Sequence, residues 1–158
     1  MSDADIALIP AKASQKPVIT NLIQLYLYDM ASQSPFPLDA EGRYEYNLLE
    51  RFWEHPYLIT KNREIAGFCL VINDCPVRKR TPCWFMAEFC VLRPYRRSGV
   101  GRYAVSAVFD RHPGEWEISW ANDNKHANGF WPIVIPDMKN KQTVSFDGTD
   151  WVSVAFTT

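Results

Sequence analysis

No group of residues in this chain is spaced to hold a metal. The cysteines, Cys69, Cys75, Cys83 and Cys90, include no Cys-x-x-Cys pair, and the three histidines stand at no ligand spacing from them. Neither a zinc site nor a thioredoxin-type dithiol is therefore expected. Free thiols in a reducing cytoplasm are the reading this favours. Long apolar runs are also missing, which excludes a spanning helix. The opening MSDADIALIP lacks a basic stretch followed by an apolar core, so export is not expected either. Charge of one sign is missing too: Lys+Arg 17 against Asp+Glu 18 leaves a formal net charge of −1. Neither nucleic acid nor a membrane surface is expected as a partner on that balance, and a homodimer stays open. With no repeat, low-complexity tract or long linker, residues 1–158 read as a single domain.

What is present suits one packed core, with 47% hydrophobic and 14% aromatic residues. The apolar run 5–10 closed by proline reads as a first strand. From Pro17, apolar positions 18, 19, 22, 23, 25 and 26 read as a helix with proline in its first turn. The segment SQSPFPLDAEG breaks that helix, and a second helix is expected over 43–53. Strands follow at 56–60, 65–73 and 83–92, the last two separated by the loop CPVRKRTP. A helix over 100–111, a strand over 116–121, a short helix over 124–133 and two final strands around an Asp-Gly turn complete the chain. The order β α α β β β α β α β β is that of an α/β (α+β) domain.

One stretch asks for a chemical reason. RRSGVG, at 96–101, lies between a strand and a helix. A helix that starts at a glycine turn offers unpaired N–H groups and the positive end of its dipole, which suit a phosphate. Gly99 and Gly101 would let an anion reach the main chain, and Arg96, Arg97 and Arg102 would add charge. The stretch is neither a Walker A loop nor Gly-x-Gly-x-x-Gly. The alternative is a tight turn with solvated arginines. A second oddity is Glu88 within the apolar strand WFMAEFCVL, where a carboxylate must be paired, protonated or poised with a raised pKa. Strict alternation would put it on one face with Trp84, Met86, Cys90 and Leu92.

EFCVLRPYRRSGVGRYAV resembles the acetyl-CoA-binding motif of the GNAT acetyltransferase superfamily, Arg/Gln-x-x-Gly-x-Gly/Ala, through Arg96, Gly99 and Gly101. NDNKHANGFW is similar to the family's second pattern, Asn-x-x-Ala-x-x-Phe-Tyr, through Asn124, Ala127 and Phe130. The resemblance implies a mixed, mostly antiparallel central sheet with flanking helices and a splayed pair of parallel strands, 84–92 and 116–121. It implies acetyl-CoA as cosubstrate, with no metal. The arm of the cofactor would lie along the main chain of Phe89, Cys90 and Val91. Its pyrophosphate would meet the N–H groups of Arg97, Ser98, Gly99, Val100, Gly101 and Arg102. Asn124 would reach the cofactor, or cap a helix, or both.

The resemblance further implies Glu88 as the base that deprotonates an amine, with an ion pair to a neighbouring strand as the alternative. Trp131 departs from the family's tyrosine, which can protonate the leaving thiolate as an indole cannot. Trp131 would then pack against the cofactor or its helix. Asp39 and Glu41, in the segment where the family shapes its acceptor site, could draw in a cationic amine or be solvated. RKR at 78–80 reads as a loop rather than a nucleic-acid patch, and Cys90 as a small buried residue rather than a reactive thiol. The aromatics Tyr26, Tyr28, Phe36, Tyr44, Tyr46 and Phe52 are core or pocket wall. Together these features point to an N-acetyltransferase acting on an amine of unknown identity. A non-catalytic acyl-CoA-binding or sensing module is the alternative.

Overall fold

The computed structural model describes residues 5–32 and 36–158. Seven strands, β1 (Ile6–Pro10), β2 (His55–Lys61), β3 (Glu64–Ile72), β4 (Trp84–Val91), β5 (Glu115–Ala121), β6 (Asn140–Phe146) and β7 (Thr149–Thr157), form one sheet in the order β1-β2-β3-β4-β5-β7-β6. Every neighbouring pair is antiparallel except β4 and β5. Helices α1 (Lys16–Met30) and α2 (Leu49–Phe52) cover one face, and α3 (Val100–Arg111) and α4 (Lys125–Val134) the other. This is the mixed fold that the sequence implies.

Local chemistry accounts for most of these elements. Asn62 and Arg63 between β2 and β3, like Asp147 and Gly148 between β6 and β7, all have positive φ, which matches a two-residue turn to the twist of its strands. Helix α1 carries Pro17 in its first turn and turns Ile19, Leu22 and Ile23 inward. Each such buried side chain contributes roughly 1.5–3 kcal/mol, so docking more than propensity holds the helix. Opposite, Val100, Ala104, Val105 and Val108 turn α3 into a cluster that also holds Ile6 and Leu8 of β1 and Tyr57 and Ile59 of β2, the strands it packs on.

Three expectations need correcting. The second helix is only Leu49–Phe52 rather than 43–53. The preceding segment is held extended by tertiary bonds: the Gln24 side chain both accepts from Tyr44 N–H at 2.8 Å and donates to its carbonyl at 2.9 Å. Secondly, alternation along β4 breaks. Leu70 pairs with Glu88 but Val71 pairs with Met86, leaving Ala87 as an extra residue, which is a β-bulge. Trp84 and Met86 therefore share the α3–α4 face with Phe89 and Val91, whereas Glu88 turns to the α1 side with Ala87 and Cys90. Thirdly, not all four thiols are free. Cys75 and Cys83 form a disulfide, with Cα atoms 5.5 Å apart, while Cys69 and Cys90 are free and buried. The loop between β3 and β4 folds back through a Cys75–Arg80 bridge, a proximity invisible to a spacing rule.

That loop is also fastened to the sheet. Glu117 of β5 is fully buried; it accepts from the N–H groups of Val77 and Arg78 at 3.0 Å each and from the Arg78 guanidinium at 3.1 Å. Arg78 donates in turn to Ser153 Oγ and the Asn140 carbonyl. Arg80 pairs with Glu115, so two of the three charges in RKR are engaged within the fold. Removing the guanidinium leaves Glu117 with main-chain donors alone. Arg78→Ala should therefore cost about 2–3 kcal/mol of stability, read as a lower urea midpoint at unchanged slope. Among the described residues no helix is long and apolar enough to cross a membrane.

Candidate active site

The parallel pair is joined only at its beginning. Trp84 pairs with Trp116 and Phe85 with Glu117, and no further rung follows. Beyond Phe85 the edge of β4 has no strand partner on this side, while β5 stays paired to β7 along its whole length. The parted strands open a cleft of about 1120 Å³. Its floor includes residues 85–91 of β4, and its walls come from α1, the start of α3, α4 and the β6–β7 hairpin.

The turn into α3 is built as the glycine pattern suggests. Gly99 has φ 84° at the N-cap, and the Tyr103 N–H bonds its carbonyl. The N–H groups ahead of Tyr103 are thus those that a helix start leaves without intrahelical partners. Gly101 faces α4 so closely that an added Cβ would stand 3.1 Å from the Phe130 ring. Of the residues the sequence singles out for the cofactor, Phe89, Cys90, Val91, Arg96, Arg97, Gly99, Gly101, Arg102, Asn124 and Trp131 all line the cleft. Ser98 and Val100 do not: the Ser98 hydroxyl donates to the Tyr95 carbonyl, and the Val100 side chain is core. Any role for these two is through main-chain N–H.

Arg96 is not a free charge. It donates to the Val91 carbonyl at 2.8 Å and to Asp29 at 2.6 Å, and Arg93 holds the other Asp29 oxygen. Partial burial disfavours the charged form of Asp29, but the bonds from Arg96 and Arg93 outweigh it and keep the carboxyl below its ordinary range. This ion pair ties the turn to the end of α1. Arg97 and Arg102 are exposed and remain to meet an anion.

Glu88 is half-buried at the cleft floor, with the Tyr46 hydroxyl donating to Oε1 at 3.1 Å. Burial raises its carboxyl to about 7, against the bonds from Tyr26 and Tyr46 that favour the charged form. Those phenols are raised in turn, chiefly by burial and then by the carboxylate beside them. No lysine or arginine is bonded to Glu88 among the described residues, so the ion-pair alternative finds no partner. Burial likewise pushes the Cys90 thiol up to about 12, as suits an inert side chain.

Asn124 caps α4, its Oδ1 accepting from Ala127 N–H at 3.0 Å, while also lining the cleft. Trp131 is 7% exposed and meets Phe89 and Phe130 edge to face. Asp39 and Glu41 do not line the cleft; Asp39 accepts from the N–H groups of Glu41 and Arg43 and so organises its own turn. Of the aromatics, Tyr26 and Phe52 line the cleft, Tyr46 reaches Glu88, and Tyr28 is exposed. The roles of Tyr46 and Asp29 have no sequence signal beyond their residue type, because each partner lies more than 40 positions away.

A glycine-opened helix start facing the bared edge of one strand of a parted parallel pair is the arrangement that the two sequence motifs imply. The chain belongs to the acetyltransferase (GNAT) family, whose model matches residues 20–132. Among solved structures, the fold is similar to that of a Pyrococcus horikoshii protein (19% identity, 98% of this chain and 99% of that one, TM-score 0.70). It is also similar to an acetyltransferase of Thermus thermophilus (12% identity, the whole of both chains, TM-score 0.67). A third is Naa50 of Arabidopsis thaliana in complex with the bisubstrate analogue CoA-Ac-MVNAL (15% identity, 98% of this chain and 99% of that one, TM-score 0.64). At these identities the likeness concerns the fold. No curated protein sequence matches the chain.

Proposed function

We propose that the protein is an N-acetyltransferase that passes the acetyl group of acetyl-CoA directly to a primary amine held in the same cleft. The observation that carries this reading is the position of Glu88, a carboxyl raised to about 7 on the strand whose edge is bared toward the start of α3. The cleft fits the cofactor: the first-turn N–H groups of α3, with Arg97 and Arg102 beside them, suit a pyrophosphate, and the unpaired edge over Phe89, Cys90 and Val91 suits an amide-bearing arm. Family membership, and the CoA-containing analogue bound by Naa50, support the same assignment.

Bound acetyl-CoA supplies the activated thioester. The chain's own residues do the rest. The parted strands hold the two reactants side by side, which replaces a bimolecular encounter by a local one. Main-chain N–H near Val91, on the unpaired edge, would favour negative charge developing on the acetyl oxygen. Glu88, ionised above its raised pKa, takes a proton from the acceptor ammonium, since only the neutral amine is a nucleophile. Release of CoA from acetyl-CoA in the presence of an amine panel tests the reading.

Trp131 favours a second reading, an acyl-CoA-binding module without turnover. Its indole donates a hydrogen bond but not a proton, so it cannot replace a phenol as acid. Trp131→Tyr should leave acetyl-CoA affinity within about tenfold and raise turnover, the phenol bringing a proton donor of pKa about 10. Calorimetry and initial rates read the two quantities. A large loss of affinity would make the indole a wall against the cofactor; binding without CoA release for any amine would establish the second reading.

A further inference from the structure

The cleft is divided by charge. Its unpaired cations, Arg97, Arg102 and Lys125, belong to the starts of α3 and α4. The remainder, between α1, the loop after β3 and the β6–β7 hairpin, is lined by Leu48, Phe52, Val77, Phe85 and Phe146. Two carboxylates line the whole cleft among the described residues, and Asp29 is already held by two arginines. Glu88 alone is left to meet an ammonium.

We propose that the acceptor is a small primary amine with one positive charge on an aromatic or branched apolar body; this rests on the acetyl-transfer reading above. The ammonium points at Glu88 and the Tyr26 and Tyr46 hydroxyls, and the body covers the apolar rim. Leu48 is 41% exposed and Phe146 68% exposed, large apolar side chains at the mouth of a functional cleft that a ligand would cover. A polyamine or aminosugar would bring further cations to a cleft that, among the described residues, has no further free carboxylate in its lining. An extended peptide would set its N–H and C=O groups against phenyl and alkyl side chains, leaving them without partners at a cost.

The test measures kcat/KM of the full chain with acetyl-CoA for 2-phenylethylamine, isoamylamine, spermidine and a peptide beginning Met-Val, alongside calorimetry with acetyl-CoA alone. The two apolar amines should exceed the other acceptors by at least about tenfold, the worth of burying one apolar side chain. Phe146→Ser, on an exposed hairpin, should raise KM for 2-phenylethylamine about three- to tenfold, with kcat and the KM for acetyl-CoA nearly unchanged. Preference for spermidine or for the peptide, or no turnover of either apolar amine while acetyl-CoA still binds, overturns the proposed class. Failure to bind acetyl-CoA at all overturns the acetyl-transfer reading beneath it.

Discussion

Glu88→Gln should lower turnover by about 100-fold or more while leaving acetyl-CoA affinity unchanged. The amide keeps the size of the side chain and can still accept from the Tyr46 hydroxyl, so the site keeps its shape and loses only its base. The pH profile carries the sharper test. Burial raises the Glu88 carboxyl to about 7; below that pH it is protonated and cannot accept a proton, and above it the base is available. The wild-type rate should therefore climb through pH 7 and level off, until other groups titrate. The glutamine variant should lose this limb and keep only the rise from free ionisation of the amine. An unchanged profile in the variant would remove Glu88 from the mechanism.

Gly101→Asp should abolish measurable acetyl-CoA binding without unfolding the chain. An acidic residue in the first turn of a helix is favourable for the helix itself, so α3 should form as before. The new Cβ meets the Phe130 ring at 3.1 Å, tight enough that the ring must give by a few tenths of an ångström. The carboxylate then stands among the N–H groups assigned to the pyrophosphate and repels it. Gly101→Ala separates the two effects: it shares the contact with Phe130 but adds no charge, and should lose about tenfold rather than all affinity, a penalty of roughly one crowded methyl group. Calorimetry with circular dichroism reads binding and fold together, and wild-type affinity in the aspartate variant would sink the assignment of this turn.

Much of the architecture was legible because local chemistry and fold agree. The boundaries of α3 follow from the glycine before it and the apolar spacing within it, and the Asp-Gly turn announces the last hairpin. Residues 43–48 failed for the opposite reason: their aromatic pattern reads as helical, but Gln24 takes the Tyr44 main chain and Glu88 takes the Tyr46 hydroxyl. Long-range bonds outweighed a propensity worth tenths of a kcal/mol per residue. Arg96 shows the same limit within a recognised motif. The pattern marks where it stands, yet only the fold reveals that Asp29, 67 residues earlier, claims its charge. Glu117, the more deeply buried carboxylate, carries no mark in the sequence, since its main-chain partners lie in a loop whose path no periodicity encodes.

The extra residue at Ala87 puts the two halves of β4 out of phase. Upstream, odd positions look toward α1; downstream, even positions do, so Glu88 and Cys90 share a side with Phe85. The aim of Glu88 is thus a property of the backbone pairing, set before any side chain is chosen. Deleting Ala87 would make Met86 and Glu88 consecutive in an uninterrupted pleat, Met86 still toward α3 and α4 and Glu88 still toward α1, because their partners Val71 and Leu70 are already consecutive. The direction of this carboxylate is fixed by its rung with Leu70, which neither point substitution along the strand nor loss of the bulged residue disturbs.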